Sequence, residues 1–472
     1  MQVNAGIICP AESGPGWDPG ARRVQAALDP HKILLHGGCV GNGESLAILL
    51  SDVKRTMRPR AIQPEWYFVA LVTVAIAISY FDRQTLPVAI SSIQQTIPLS
   101  NQQFSWLQSA FLVPYALLYA FGGRMLDVLG TRRGFLLIML WWSAACALHG
   151  LAMNFGFLLV ARCLLGMGEG GGFPAATRVV AEWVPLERRS TAMGIINAGT
   201  AVGSVLAVPL IGAILILSGW RMMFFASGAA GLAWVMWWWV SYRGNDQVSI
   251  ATLDARLIAQ RLSLLDIVRL RQVRVLVFSK FMSDSAWFFY LGWLPKYLYD
   301  VRHFDVKHVS YYAWIPYAAS GVGSFLGGWL SSALLRRGRS LDFSRKFCLG
   351  LSAMFMPVVM LVSHVPVGWA LLLFSIAFFC QQSWSGLIMT LPADIFPLSA
   401  VGTVSGLIGF GGAIGGAIFG VVAGWLLGHG FGYGTLFMIV GTFHLVGFLA
   451  ILLFGGKLHP LKTPDLLTIE SQ

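Results

Sequence analysis

The sequence predicts an all-α membrane protein with twelve transmembrane helices in two six-helix bundles. Three observations lead to this fold: an apolar composition, long uncharged runs between short basic clusters, and an internal repeat. Of the 472 residues, 56% are hydrophobic and only 11% are charged, and the mean hydropathy is +0.68. Because soluble domains average about 25% charged residues, this composition is typical of a chain that is dissolved in lipid.

The basic residues follow the pattern of a multi-spanning protein. No Lys or Arg occurs between Arg83 and Arg124, or between Lys346 and Lys457. If the first helix enters from the cytoplasm, most Lys and Arg after Thr56 fall on inner loops, as the positive-inside rule requires. We therefore expect a bacterial inner-membrane protein with both termini in the cytoplasm. The net charge of +12 then reflects orientation in the lipid bilayer, and no nucleic-acid partner is expected.

Apolar runs of sufficient length give the number of spans. A bilayer core of about 30 Å needs about 20 apolar residues per helix. The predicted helices cover 66–89, 104–126, 134–152, 155–182, 189–217, 220–242, 273–298, 309–335, 345–364, 367–390, 400–427 and 431–455.

The domain organisation follows from these spans. Residues 1–56 are rich in Gly and Pro and lack an apolar run as long as a signal-peptide core of about 7–15 residues. We interpret them as a disordered extension or as a start assigned too far upstream. The remaining predicted regions are an N-terminal bundle (57–242), a cytoplasmic connector (243–272), a C-terminal bundle (273–458) and a cytoplasmic tail (459–472).

An internal repeat relates the two halves. The segment from Gly194 to Gly203, which follows Pro185-Leu186, recurs as Gly406 to Gly415 after Pro397-Leu398, 212 residues later. Small residues at this spacing also serve helix packing alone. The matching prolines favour duplication, and such repeats place a substrate site near the midplane between the bundles.

Ionisable residues inside the predicted spans are the candidates for function, because a charge at membrane depth costs several kcal/mol. Arg162 and Glu169 are seven residues apart, so they share a helix face and lie about 10 Å apart in depth. Two guanidiniums at similar depth suit a carboxylate ligand, and carboxylates without metal-ligand neighbours suit proton binding. The candidate anion ligands are Arg83 and Arg162, and the candidate proton sites are Asp82, Glu169 and Asp284.

Structural interpretations of the same charges remain open. Asp82–Arg162 and Arg83–Glu169 could be salt bridges that hold the bundle together. Lys280 is expected near an inner helix end, with its ammonium extended to the interface. Asp284 serves either proton coupling or a structural hydrogen bond. Further polar and aromatic candidates for substrate contact are Tyr115, Asn197, Gln381 and Trp384, and no metal or other cofactor is expected.

Three stretches resemble the anion:cation symporter branch of the major facilitator superfamily. They are Tyr80-Phe-Asp-Arg83, the loop from Gly123 to Arg133, and Arg162-Cys-Leu-Leu-Gly-Met-Gly-Glu169 with Glu182-Trp-Val-Pro-Leu-Glu-Arg188. The resemblance implies a gating loop between helices 2 and 3. Its residues here are Gly123, Asp127, Gly130, Arg132 and Arg133.

Within that branch, the chain resembles the hexuronate transporters. The resemblance rests on the run from Asp284 to Leu298 and on Pro392-Ala-Asp-Ile-Phe-Pro397. It implies that Arg83 and Arg162 bind the substrate carboxylate and that Asp82 and Glu169 carry protons. It also implies sugar-acid contacts from Tyr115 and Trp384.

Three positions depart from the pattern. Val128 stands where the loop usually has Arg, Ser332 replaces an acid in the second half, and Gly409 replaces the Asn ligand of aldonate transporters.

These features together predict a monomeric secondary transporter that imports a small organic anion, a hexuronate, by proton symport. An aldonate, tartrate or aromatic acid is the main alternative substrate. The sequence does not distinguish Na⁺ from H⁺ as the coupling ion. A non-transporting sensor on the same fold is a second alternative. An enzyme is disfavoured, because the sequence shows no paired metal ligands, phosphate loop or Ser/His/Asp set.

Overall fold

The computed structural model describes residues 64–99, 101–242, 264–302 and 314–461. The predicted extension 1–56 lies outside this part of the chain, as do most of the connector 243–272 and of the tail 459–472. The helices are α1 Pro64–Gln94, α2 Asn101–Leu129, α3 Thr131–Leu148, α4 Phe155–Glu169, α5 Gly172–Trp183, α6 Arg189–Ser241, α7 Leu264–Arg269, α8 Arg271–Asp300, α9 Trp314–Arg336, α10 Leu341–Phe355, α11 Val367–Ile395, α12 Leu398–Gly428 and α13 Tyr433–Phe454.

The all-α prediction is confirmed, and ten of the twelve predicted spans are described helices long and apolar enough to cross a membrane. The other two spans are exceptions for physical reasons. The fourth is divided into α4 and α5, with 15 and 12 residues. The seventh, α8, has 30 residues but carries several charged side chains, among them Lys280 and Asp284. Bulky apolar side chains on the outer helix faces, such as Ile216 and Val421, are exposed, as lipid-facing positions are.

Two interruptions in the helices depend on glycine. Spans five and six form the single run α6, which is broken only at Gly219, where φ is +78°. A left-handed backbone of this kind is strained for residues with a Cβ atom. The prediction of one continuous helix over 155–182 is wrong, because α4 ends before Gly170. A Cβ atom at Gly170 would lie 2.6 Å from the backbone oxygen of Tyr115, so this position allows α2 to approach closely.

The repeat predicted from sequence appears as matching contacts between the bundles. Helix α2 packs against α12, and α6 packs against α9. A Cβ atom at Gly406 would lie 2.4 Å from the Tyr119 oxygen, and one at Gly194 would lie 2.5 Å from the Ser324 oxygen. The glycine pair is therefore in the same place in both halves, 212 residues apart.

Candidate functional site

A cavity lies between the two bundles near the middle of the helices. It measures about 40 Å³, which is enough for a few water molecules but too small for a sugar acid. A molecule of that size could enter only if the helices separated from this conformation. The lining residues are Tyr80, Arg83, Tyr115, Tyr119, Phe173 and Asn197 from the N-terminal half, and Lys280, Asp284, Trp287, Phe288, Gln382, Ser385, Met389, Gly409 and Ala413 from the C-terminal half.

Arg83 presents a partly exposed guanidinium to this cavity. Its carbon Cζ lies 4.5 Å from the ring centre of Tyr80, 4.6 Å from that of Tyr115 and 5.3 Å from that of Phe111. The side chain is 19% exposed, whereas its ion-pair partner Glu169 is fully buried. The aromatic faces favour a cation at this position. The guanidinium is therefore held at the cavity wall by α1 and α2.

Glu169 bonds Arg83 but is not among the residues that line the cavity. Its Oε2 accepts hydrogen bonds from Arg83 Nε at 2.7 Å and from Ser79 Oγ at 2.6 Å. Its Oε1 is buried and has no hydrogen-bond partner among the described residues. The carboxylate thus has one committed oxygen and one oxygen with free acceptor capacity. The predicted pairing of Arg83 with Glu169 is present.

Arg162 is buried beside the ring of Phe111. It is 1% exposed, and its Cζ lies 5.6 Å from the ring centre of Phe111. Arg83 Cζ is 5.3 Å from the same centre, so the two guanidinium carbons are at most 10.9 Å apart, the sum of these distances. Arg162 is not among the residues that line the cavity. Its direct contact with a carboxylate stays a prediction.

Asp82 faces the interior of the N-terminal bundle. It is fully buried and accepts hydrogen bonds from Trp142 Nε1 at 2.8 Å and from the Ser227 hydroxyl. These donors come from α3 and α6, so the carboxylate links three helices. Asp82 and Arg83 are consecutive residues and therefore point to different faces of α1.

Lys280 lines the cavity, and the expectation that it extends to an inner interface is wrong. Its Nζ lies 3.0 Å from Asp284 Oδ1 and donates to Ser385 Oγ at 2.9 Å. The side chain is buried because α8 begins at Arg271. Nine residues of helix place Lys280 about 13 Å from that end, too deep for the ammonium to reach the interface.

The predicted ligands Asn197 and Gln381 have different outcomes. Asn197 lines the cavity, and its Nδ2 donates to Gln382 Oε1 at 2.6 Å across the bundle interface. The glutamine of α11 that lines the cavity is therefore Gln382. Gln381 is 1% exposed, and its amide atoms have no hydrogen-bond partner in the described part of the chain. Adjacent residues of a helix differ by about 100° in direction, which explains why Gln382 faces the cavity and Gln381 does not.

Trp384 does not line the cavity either. It is fully buried, and its ring packs edge-on against His444 of α13, with 5.3 Å between ring centres. A contact with substrate is therefore not made in this conformation. Its neighbour Ser385 is the cavity residue of this helical turn.

Tyr119 is a cavity residue that the sequence reasoning missed. It follows Tyr115 by one helical turn, and the two rings pack edge to face at 5.2 Å. A Cβ atom at Gly409 would lie 1.9 Å from Tyr119 Cε1. The tyrosine ring therefore occupies the space into which a larger side chain at position 409 would extend. The spacing of Tyr115 and Tyr119 was the available signal.

The predicted gating loop contributes to a polar cluster at the end of the bundles where α2 ends and α12 begins. Asp127 accepts hydrogen bonds from the backbone N–H of Gly402 at 3.0 Å and of Thr403 at 2.7 Å, and from the Thr403 hydroxyl at 2.6 Å. Arg178 forms an ion pair with Asp127 and also bonds the backbone oxygen of Leu398. We call Asp127, Arg178, Gly402 and Thr403 the first gate cluster.

The other loop residues have simpler contacts. A Cβ atom at Gly123 would lie 2.0 Å from the Gly402 oxygen, so this glycine permits the helix contact. Gly130 has a φ of 79°. Arg132 donates to the Trp239 backbone oxygen at 3.0 Å, and Arg133 is exposed.

A second gate cluster occupies the equivalent position in the other half of the repeat. The backbone N–H of Thr191 donates to Ser332 Oγ at 3.1 Å, as that of Thr403 donates to Asp127. Arg345 donates to Asp394 at 2.7 Å and to the Ser190 hydroxyl at 2.8 Å. We call Ser190, Thr191, Ser332, Arg345 and Asp394 the second gate cluster. In this cluster the neutral Ser332 takes the place of Asp127, so the acceptor that bonds the facing helix end is a hydroxyl group and not a carboxylate.

No three His, Cys, Asp or Glu side chains come close enough to hold a metal ion within the described ranges. The expectation that the protein uses no cofactor remains a prediction. The groups that the site offers are a partly exposed guanidinium at the cavity wall and a buried carboxylate behind it.

The sequence model of the Major Facilitator Superfamily matches residues 72–420. The hexuronate transporter of Escherichia coli K12 is 31% identical over 403 residues, which cover 82% of this chain and 93% of that protein. The galacturonate transporter of Dickeya chrysanthemi is 30% identical, over 62% of this chain and 88% of its own. The D-galactonate transporter of Escherichia coli CFT073 is 26% identical, over 82% of this chain and 95% of its own.

Solved structures show the same fold. The proton:xylose symporter XylE bound to 6-bromo-6-deoxy-D-glucose has a TM-score of 0.68 at 16% identity, covering 86% of this chain and 98% of its own. FucP in the outward conformation has a TM-score of 0.63 at 17% identity, covering 82% and 98%.

Proposed function

The chain belongs to the Major Facilitator Superfamily, a family of multi-pass membrane transporters rather than enzymes, and we propose that this member imports a hexuronate together with protons. The similarity to hexuronate and galacturonate transporters supports this substrate class. We also propose that the protein is a monomer in a bacterial inner membrane, with both termini in the cytoplasm.

The arrangement of Arg83 at the cavity wall carries the proposal. Its guanidinium is partly exposed to the cavity, while the acid that balances it, Glu169, is buried behind it. Only Nε of Arg83 bonds Glu169. Within the described residues the terminal nitrogens donate no hydrogen bond, so they can form paired hydrogen bonds with a substrate carboxylate. The rings of Tyr80 and Tyr115 beside the guanidinium offer apolar faces to the carbon skeleton of a sugar acid.

Proton coupling follows from the competition between two carboxylates for one guanidinium. A proton on Glu169 Oε1 removes the charge that holds Arg83 and leaves Arg83 ready for the substrate carboxylate. When the substrate leaves, the unbalanced guanidinium favours loss of the proton from Glu169. Uptake of each acid group thus requires one proton at this pair. Asp82 is the candidate site for a second proton.

Alternating access requires the gate clusters to open and close. In the present conformation both clusters bond one bundle to the other at the same helix ends. We place these ends at the cytoplasmic side, because α1 begins and α2 ends there. Release to the cytoplasm then breaks the bonds of Asp127 and Ser332 to the facing helices.

The variant Glu169→Gln tests this function. The amide imitates a protonated carboxyl group, so the variant should bind a labelled hexuronate and exchange it across proteoliposome membranes as the wild type does. It should fail to accumulate the hexuronate when a pH gradient is imposed. Accumulation by Glu169→Gln on a pH gradient alone would reject the coupling scheme. Absence of hexuronate exchange by the wild type would reject the substrate.

A different small acid is the alternative substrate. Arg83 recognises the acid group and not the rest of the molecule, and the relatives include a probable sulfoacetate transporter that is 31% identical over 82% of this chain. Competition of unlabelled glucuronate, galactonate and sulfoacetate against labelled hexuronate ranks these candidates. The proposal requires glucuronate or galacturonate to compete most strongly.

A further inference from the structure

We propose that Lys280, Asp284 and Ser385 form a second subsite, which binds neighbouring hydroxyl groups at the end of the substrate opposite its carboxylate. The inference rests on the proposed function, because it concerns the part of a sugar acid that Arg83 does not bind. The sequence alone predicts no function for Lys280 and only proton coupling or a structural hydrogen bond for Asp284. The two subsites line the same cavity from opposite bundles, since Arg83 belongs to α1 and Lys280 and Asp284 belong to α8.

The hydrogen-bonding capacity of Lys280 supports a ligand. Its ammonium has three N–H donors. One contacts Asp284 Oδ1 at 3.0 Å and one contacts Ser385 Oγ at 2.9 Å. All three residues line the cavity. The remaining donor of Lys280 and the acceptor capacity of Asp284 therefore suit a ligand group that both accepts and donates.

Charge balance selects hydroxyl groups over a second acid. Asp284 already neutralises Lys280, so an additional carboxylate would lie close to a like charge. A pair of neighbouring hydroxyls avoids this repulsion, because one can accept from Lys280 while the other donates to Asp284. The arrangement differs from Arg83, whose acid is turned away from the cavity.

Neighbouring helices hold the pair in place. A Cβ atom at Gly412 of α12 would lie 2.3 Å from Asp284 Oδ2 and 3.1 Å from Lys280 Cγ. This glycine leaves room for the carboxylate and fixes it on one side. Trp287 and Phe288, one turn further along α8, line the same wall. Aromatic faces beside a hydroxyl-binding pair suit the C–H face of a sugar ring.

Binding measurements on purified variants test the inference. The probes are D-glucuronate, which has both ends, and cyclohexanecarboxylate, which has the acid group without hydroxyls. Lys280→Gln and Asp284→Asn should each weaken D-glucuronate binding at least tenfold and leave cyclohexanecarboxylate binding within twofold of wild type. The matched control is Lys346→Gln, which breaks a similar i,i+4 pair with Asp342 (2.7 Å) away from the cavity. It should change neither affinity.

Several outcomes would overturn the inference. Equal losses for both probes would place the acid group at Lys280, and no loss for either would make the pair structural. Tighter wild-type binding of D-glucarate than of D-glucuronate, with the preference lost in Lys280→Gln, would indicate a second acid subsite. Ser385→Ala, a milder change, should weaken D-glucuronate about threefold if the charged variants fail to fold, and an unchanged affinity would count against the subsite. Failure of the wild type to bind any hexuronate would reject the proposed function itself.

Discussion

The variant Asp127→Asn should open the end of the transporter that carries the two gate clusters, which we call the gate end. Asp127 accepts three hydrogen bonds from α12 of the opposite bundle, and these bonds must break when this end opens. A hydrogen bond to a charged group contributes about 1.5–3 kcal/mol, against about 0.5–1.5 kcal/mol for a neutral one. The amide of Asn keeps only one acceptor oxygen, so the bonds at that oxygen weaken by roughly 1 kcal/mol each and the other acceptor is replaced by a donor.

Arg178 limits the size of the effect. It retains Glu182 at 3.1 Å when Asp127 becomes neutral, so the variant does not leave an unpaired buried charge, which would cost about 3–5 kcal/mol. We expect the closed form to lose at least about 2 kcal/mol relative to the open form, a shift of roughly 30-fold or more in their ratio.

Spin-label distances measure this ratio directly. Labels replace the exposed residues Arg133 and Arg337 at the gate end, in a background without the six native cysteines. Asp127→Asn should move the distance distribution toward the longer separation. The control Ser332→Ala removes neutral bonds at the equivalent position, so it should shift the ratio only about fivefold. Equal shifts in both variants, or no shift in Asp127→Asn, would refute the assignment of the charge to the gate.

Three further predictions concern the site. Arg162→Lys keeps the charge but loses the paired donors, so hexuronate affinity measured by calorimetry should fall at least tenfold, or about 1.4 kcal/mol; unchanged affinity would return Arg162 to a structural role. Gly409→Asn should abolish hexuronate binding because the new side chain meets the ring of Tyr119. The double variant Gly409→Asn, Tyr119→Ala should recover part of the binding. Hexuronate binding by the single variant Gly409→Asn would show that the tyrosine ring moves freely. Asp82→Asn should remove the voltage dependence of hexuronate uptake if Asp82 carries the second proton; uptake that still follows an imposed potential would exclude that assignment.

The sequence predicted the helices well where physical constraints were strong. The length of an apolar run is set by the bilayer, so most spans were placed correctly, and the break between spans five and six fell at Gly219. The repeat predicted the paired helix contacts, because the small residues that define it are the ones that allow close approach. The break at Gly170 was missed although the run Gly170-Gly-Gly172, followed by Pro174, is a local signal for the end of one helix and the start of another.

The direction of side chains on buried helices was harder to predict. Helix α11 is buried on nearly all sides from Cys380 to Ile395, so no polar face separates Gln381 from Gln382. Lys280 was misplaced although the predicted span began only two residues after Arg271, about 3 Å in depth. Its contact with Ser385 of α11, which together with Asp284 holds the ammonium at the cavity, does not follow from the position of Lys280 in its own span. Arg178 and Glu182 were a detectable signal, since opposite charges four residues apart inside a predicted span lie on one face of the helix and can form an ion pair.

Proton movement with the substrate tests the central claim most directly. Proteoliposomes that contain the wild-type protein are suspended in weakly buffered medium, and a pH electrode records the response to added D-glucuronate while labelled substrate is counted in parallel. We predict alkalinisation of the medium in proportion to the D-glucuronate taken up, and none in Glu169→Gln liposomes. D-glucuronate uptake without any pH change would contradict proton symport through the Arg83–Glu169 pair.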